Sequence, residues 1–560
     1  MPTMTGAELI VRMLERQGIR IIAGIPGGAN LPLYDAVGQS ETLRHVLARH
    51  EQGAGFIAQG MARATGRPAV FLATSGPGAT NALTALADAK LDSVPVVCIT
   101  GQVPRAMIGT DAFQEVDTYG MSIPLTKHNF LVRSAAHLLE IIPEAFRIAV
   151  SGRPGPVLVD VPKDVQCEAV SFERWPEPAA ADSPPDFAAA AVERAAGLIN
   201  GAERPVLYLG GGVVHAGAAA LAVQLAEKAS IPTTMTLMGL GTMPVDHPLS
   251  LGMLGMHAAR STNFALEECD LLIAAAARFD DRATGKVAAF CPQATIVHID
   301  IDHSELGKIK AAHTGLVGDV GKVLEALLPR IEDNPREEWL ARIGELRRAF
   351  PFEMPGAGDV RTPYGLIAEA ARHLDDTAII ATDVGQHQMW VAQAYPLRRP
   401  RQWLTSGGLG TMGFGLPAAI GASLACPGRR VVCFSGDGSL LMNVQELVTA
   451  VEENVNVKII VMDNRSLGLV HQQQDLFYGH RIFASDYRVA TDFCAVARGF
   501  GMRSADLGTA RDPAGLLAEA LAAPGPCLIH APIDVNQKVY PMVPPGAANR
   551  DMLASEPMPA

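Results

Sequence analysis

Residues 431–470, VVCFSGDGSLLMNVQELVTAVEENVNVKIIVMDNRSLGLV, restrict the fold more than any other stretch. Val431 to Phe434 is a wholly apolar run of buried-strand length, and it breaks at Ser435-Gly436-Asp437-Gly438-Ser439. A helix-period segment follows, with Leu440, Leu441, Val444, Leu447 and Val448 on one side. A second apolar run, Val457 to Met462, ends in Asp463-Asn464. Two strands joined through a helix read as a parallel pair, because parallel strands need a crossover. A right-handed crossover brings both strand ends to the carboxyl edge of the sheet, where ligands bind.

Both loop ends carry oxygen donors. Asp437 supplies a carboxylate after the first strand, and Asn464 an amide oxygen after the second. Such a set suits Mg²⁺, which takes a few protein oxygens and is completed by phosphates. Gly436 and Gly438 let a diphosphate approach the backbone without meeting a Cβ. Asp-Gly by itself is also a common turn. The Asn one crossover later is what favours the metal reading.

Chain length suffices for about three domains. Apolar residues at 48% support large cores, and aromatics at 5% leave the packing to small and aliphatic side chains. A net charge of −12 without a basic block argues against a nucleic-acid surface. The eight scattered cysteines include no CxxC pair, which predicts reduced thiols in a cytoplasmic protein rather than zinc ligands. The helical stripe beginning at Thr5 predicts no signal peptide, and no apolar run has membrane-spanning length.

Alternating helix and strand patterns predict an α/β chain of three doubly wound parallel-sheet domains, at 1–165, 190–335 and 363–535. Pro/Ala-rich residues 166–190 read as a linker, and residues 336–362 as a second connector. The tail, 536–560, is too proline-rich for a helix and is expected as a lid over the site. Domains one and three share the layout helix, strand, Gly loop, helix, strand, as duplicated folds would.

Several strand ends carry notable residues. His50-Glu51 opens a Gly/Ala-rich helix, where on local grounds Glu51 is a first-turn acid favoured by the macrodipole. The run Thr74 to Asn81 is either a helix N-terminus with free amides or a tight turn. A long irregular segment holds Phe113 and Gln114, which either line a pocket or pin the loop. Arg153 and Lys163 read locally as solvated charges. Gly210-Gly211-Gly212 is a weak dinucleotide signal, and Asp300 ends a strand where an acid can take ribose hydroxyls.

Taken together, GIPGG (24–28), RHEQGAGFIAQGMAR (49–63), SGPGATN (75–81), GTDAFQEVD (109–117), SGRPGPVLVDVPKDV (151–165), RFDDR (278–282), GQHQMW (385–390), GLGTMGFGLPAAIGA (408–422) and GDGS…DN resemble one family. Over nearly its whole length the chain is similar to the catalytic large subunits of acetolactate (acetohydroxyacid) synthases, which are thiamine-diphosphate (ThDP) enzymes. The resemblance implies three domains: pyrimidine-binding, central FAD-binding and diphosphate-binding. It implies that pyruvate is decarboxylated on ThDP and the hydroxyethyl unit condensed with pyruvate or 2-oxobutyrate, the first common step of branched-chain amino acid biosynthesis.

Site roles follow from the same resemblance. Glu51 would hydrogen-bond the aminopyrimidine and drive the tautomer that removes the thiazolium C2 proton. Asp437, Asn464 and the Ser466 carbonyl would hold Mg²⁺; the family usually has Asn where this chain has Asp463, which leaves the ligand Asn464 in place. Gln386, His387, Gly438 and Ser439 would meet the diphosphate, and Gly410 and Met412 the pyrimidine. Gly28, Phe113, Gln114 and Lys163 would line the substrate side. Arg153, the segment 253–259 with Met256 and His257, Arg278, Asp280, Asp300 and Asp319 would hold FAD without net redox.

Leu469 and Gln473 would shape the acceptor pocket. Gln473 stands where many members carry Trp, which implies weak acceptor discrimination and low herbicide sensitivity. A homodimer or homotetramer and a small regulatory subunit are the implied partners. The alternatives are another FAD-containing ThDP enzyme, either a pyruvate oxidase or a carboligase, and a non-catalytic cofactor-binding paralogue. Intact Glu51, Asp437 and Asn464 speak against the last, and Glu51 speaks against glyoxylate carboligase.

Overall fold

The computed structural model describes residues 1–555, and the last five positions of the tail lie outside the described residues. The apolar runs become strands of three six-stranded parallel sheets. In the first, the order is Arg44–Leu47, Ile21–Gly24, Ala69–Ala73, Val96–Gln102, Val157–Pro162 and His128–Leu131. In the third it is Trp403–Leu404, Ile379–Thr382, Val431–Gly436, Val457–Asp463, Cys527–Pro532 and Arg503–Asp506. Numbering strands within each domain, both orders read 2-1-3-4-6-5, so the two share one topology. The central sheet reads 3-2-1-4-5-6, from Ser250–Met253 at one edge to Thr314–Val317 at the other, the order of dinucleotide-binding α/β domains.

The first and third domains meet through two glycine-bearing helices, Glu51–Thr65 and Gly415–Ala425. A Cβ on Gly60 would stand 2.0 Å from the Ala418 carbonyl oxygen, and one on Gly421 would stand 1.9 Å from that of Ile57. Only glycine allows the two backbones to touch in this way. Phe56 meets Phe414 edge-on beside the crossing, with ring centroids 5.3 Å apart. This crossing orients the helix that starts at Glu51.

Three segments differ from the sequence reading. The crossover after Asp437 is two short helices, Asp437–Leu441 and Glu446–Glu452, and Leu441 is exposed rather than on a buried stripe. In the linker, Ala169–Ser171 pairs antiparallel with Thr3–Thr5, because backbone pairing is invisible in so short a run. The second connector contains a helix, Glu337–Ala349, which buries Trp339 and donates its indole N–H to the Pro205 carbonyl at 3.0 Å.

The tail, expected as a lid, is packed as an ordered strap. Val539, Met542 and Val543 are buried, and the Val543 N–H donates to the Met256 carbonyl at 2.9 Å. Among the described residues no helix is long and apolar enough to cross a membrane.

Candidate active site

Strand ends bring the predicted residues into two groups. The first lies at the carboxyl edge of the first sheet. Glu51 opens its helix nearly buried, and the Asn81 side-chain amide donates to Oε2 at 3.0 Å. Asn81 belongs to the helix Pro77–Leu91, so the Thr74–Asn81 run is a helix start that fixes the Glu51 carboxylate. A Cβ on Gly78 would stand 3.3 Å from Glu51 Oε1, and one on Gly76 (φ +57°) would stand 2.9 Å from the Gln114 carbonyl oxygen. These glycines let Gln114 and Glu51 crowd one helix end. Gly28 and Lys163 follow two other strands at the same edge. Phe113 is 87% exposed, so it does not pin its loop within this chain.

The second group lies at the carboxyl edge of the third sheet. The Ser466 N–H donates both to Asp437 Oδ2 (3.1 Å) and to Asn464 Oδ1 (3.2 Å), so the three predicted metal-site residues converge. Asn464 donates its amide N–H to Gln386 Oε1 at 3.0 Å, which brings Gln386 into the group. Ser439 donates to the Val384 carbonyl at 2.8 Å. Burial pushes the Asp437 carboxyl up to about 7, and the neighbouring Asp463 carboxylate adds to the rise. Burial also works to raise Asp463, but the hydrogen bonds from His530, the Arg465 N–H and Asp437 together outweigh it and hold that carboxyl low.

His387 lies buried between Gly385 and Gly436; a Cβ on either would stand 2.9 Å from its ring. Burial lowers its pKa to about 3, so the ring is neutral. Its Nε2 is a buried polar atom without a protein partner. An oxygen of a bound diphosphate is the kind of partner such an atom lacks. A buried, raised carboxylate in a ring of oxygens likewise fits the place of a cation. Asp437, Asn464 and His387 thus fit Mg²⁺ and a diphosphate.

Gly410 (φ +70°) and Met412 lie on the loop after Trp403–Leu404. That loop is held by residues the sequence reading did not single out. Asp383 accepts the Gly413 and Gly415 N–H groups at 2.7 and 3.2 Å. Asp92, from the first domain, accepts those of Gly407 and Gly408 at 3.0 and 2.7 Å. Arg63 pairs with Asp92 at 2.8 Å and Asp88 at 3.2 Å, all three buried. The signal available was a charged residue inside an apolar helix face, which is informative because buried charges are paired.

A cavity of about 850 Å³ lies between the domains, of the size of ligand pockets. Arg153, Met256, His257, Arg278, Asp280, Asp300 and Asp319 all line it, and so do Gly410, Leu469 and Gln473. Gly28, Glu51, Phe113, Gln114 and Lys163 do not. Arg153 is not a solvated charge; it pairs with Asp302 (3.2 Å) and Glu305 (2.8 Å) on the cavity wall. Burial pushes Asp300 up to about 6. Asp280 and Asp319 cap the starts of two helices, Asp281–Thr284 and Val320–Leu327. The triple glycine serves close packing, since a Cβ on Gly210 would stand 2.0 Å from the Ala276 carbonyl oxygen. The cavity's volume, acids and apolar wall fit a dinucleotide.

Three thiamine pyrophosphate enzyme families match in succession: the N-terminal TPP binding domain at residues 4–121, the central domain at 192–327 and the C-terminal TPP binding domain at 383–531. The acetolactate synthase isozyme 1 large subunit of Escherichia coli (strain K12) is 61% identical over 549 residues, 98% of this chain and 97% of that protein. The isozyme 2 large subunit of the same organism is 46% identical, over 98% of this chain and 99% of that protein. A probable acetolactate synthase large subunit of Methanocaldococcus jannaschii is 45% identical, over 97% of this chain and 94% of that protein. With three family models matching in succession and the likeness covering 98% of the chain, this chain belongs to the thiamine pyrophosphate enzymes, in the family of acetolactate synthase large subunits.

Proposed function

We propose that this chain decarboxylates pyruvate and joins the two-carbon unit to a second 2-oxo acid, pyruvate or 2-oxobutyrate, using thiamine diphosphate, Mg²⁺ and a structural FAD. The observation that carries the reading is the junction of Asp437, Ser466 and Asn464 at one sheet edge. Thiamine diphosphate, when bound, supplies the electron sink that accepts the pair released with CO₂.

The chain's own residues do the rest. Asp437, Asn464 and the Ser466 carbonyl hold the cation, and His387 and Gln386 border the diphosphate. Glu51, fixed by Asn81, holds a proton at the aminopyrimidine. Arg153, Arg278 and the acids of the large cavity face the flavin nucleotide.

No hydrogen bond among the described residues joins Glu51 to the Asp437 group, and the exposed Phe113 lacks a cover in this chain. Both facts support a homodimer or homotetramer in which the first domain of one copy completes the third domain of another. The relatives' names, "large subunit", support a small regulatory partner. Eight free cysteines suit a cytoplasmic setting.

Conversion of pyruvate to acetolactate is measured with each cofactor omitted in turn. Loss of activity without ThDP or Mg²⁺ is expected, as is loss in Glu51→Gln. Full activity in Glu51→Gln would end the proton role, and pyruvate-driven flavin reduction would point to an oxidase instead.

A further inference from the structure

Glu446 ties the two half-sites of one chain together. It opens the second short helix of the crossover that begins at Asp437. Its side chain is 0% exposed, a rare state for a carboxylate. Oε1 accepts the backbone N–H of Arg49 at 2.9 Å and that of His50 at 3.1 Å. Oε2 accepts the Thr449 hydroxyl at 2.7 Å. The two N–H groups lie in the first domain, immediately before the helix Glu51–Thr65.

Gly53 supplies the room, because a Cβ there would stand 2.4 Å from Glu446 Oε1. Within the helix start, the Gln52 N–H goes to the His50 ring at 3.1 Å. Ion pairs of Arg49 with Glu452 and Arg44 with Glu453 flank the same contact. A buried carboxylate from one domain therefore caps the catalytic helix of the other. Hydrogen bonds to an ionised acceptor are the strong ones, and a negative charge here also complements the helix N-terminus.

We infer that Glu446 is a positioning residue for Glu51: it fixes the N-terminal end of the Glu51 helix to the third domain, and so sets the reach of the Glu51 carboxylate. The inference rests on the role of Glu51 proposed above. Without Glu446, two part-buried N–H groups lose their acceptor and the helix end is free to shift.

Glu446→Ala is the test. Because a displacement of about 1 Å can cost roughly a hundredfold, kcat is expected to fall by about ten- to a hundredfold. KM for pyruvate and the affinities for ThDP and Mg²⁺ stay close to those of the parent. Deuterium exchange at C2 of bound thiamine diphosphate, followed by NMR, slows in step with kcat. In cofactor-free protein, amide exchange of peptides covering residues 47–53 rises. Glu446→Gln keeps an acceptor oxygen and restores most of the rate. Gly53→Ala pushes a methyl group onto Oε1 and reproduces the loss with Glu446 intact; it also decides the matter if Glu446→Ala does not fold.

C2 exchange at the parental rate in Glu446→Ala or Gly53→Ala would overturn the inference. So would a kcat loss that merely tracks lost Mg²⁺ and ThDP affinity. Glu51→Gln is measured alongside. Full rate there sinks the Glu51 role itself, whereas inactive Glu51→Gln beside fully active Glu446→Ala sinks only the positioning role.

Discussion

Replacing Gly421 by alanine tests whether the helix crossing sets the Glu51 half-site. The added Cβ would stand 1.9 Å from the Ile57 carbonyl oxygen and 2.8 Å from its carbonyl carbon. Both are backbone atoms of a helix, so no side-chain rotation relieves the contact. The helices must part by about 1.5 Å to reach ordinary van der Waals distance. Sliding does not help, because Gly60 makes the matching contact with Ala418 on the other helix, at 2.0 Å.

Overpacking costs about 1–3 kcal/mol, and backbone against backbone belongs at the upper end. For domains of this size, about 3 kcal/mol lowers the thermal midpoint by roughly 6–12 °C. The displaced helix carries Glu51, so kcat falls as well, by about tenfold or more. Calorimetry and steady-state rates are the assays. Gly197→Ala is the control: that glycine is exposed in the helix Ala189–Gly201 with nothing within 4 Å, and alanine there stabilises by up to about 1 kcal/mol. A Gly421→Ala protein that melts and turns over like its parent would refute the reasoning.

Asp92→Ala strips the acceptor from Arg63, Gly407 and Gly408, and breaking a buried pair costs about 3–5 kcal/mol. Because Gly407 and Gly408 line the large cavity, flavin is expected to leave during gel filtration, and full retention would count against the fit. His530 bonds Asp463 and Asp506, each at 3.0 Å; burial works to lower its pKa, but these partners raise it. A raised folded pKa stabilises fully below about 6.5 and loses that stabilisation as pH climbs through the folded value. The thermal midpoint should therefore decline on the alkaline side in the parent and not in His530→Gln; parallel profiles would exclude this. Gln473→Trp adds apolar surface to the cavity wall and should raise 2-oxobutyrate use over pyruvate by about tenfold or more in a competition assay. An unchanged ratio would remove Gln473 from specificity.

Much of the site was legible because its residues stand at strand ends. Asp437 and Asn464 follow apolar runs one crossover apart, so their place at one sheet edge was readable from spacing, whereas Ser466, which bonds both, came from the family resemblance. The residues that the family resemblance implies for FAD lie far apart in sequence, and the structure brings all seven to the wall of one cavity. Asp383, Asp88 and Glu446 were not legible. Each accepts hydrogen bonds from backbone N–H groups or hydroxyls far away in sequence, and such partners leave no residue-type signature. The strand Ala169–Ser171 escaped for a related reason: three residues carry no period, and its partner is the chain's opening.

By itself the sequence determined three α/β domains, the duplicated layout of the first and third, and the oxygen donors at Asp437 and Asn464. It could do so because strand length, glycine punctuation and strand-end chemistry are local properties. Tertiary structure decided which surfaces meet. It set Gly60 and Gly421 back to back, closed the tail over Met256 and His257, and put Glu51 and Asp437 at the edges of two different sheets. It also sent the Glu446 carboxylate to the start of the Glu51 helix. Those choices rest on shape and on satisfying buried polar groups across domains, and neither is written in any one stretch of the chain.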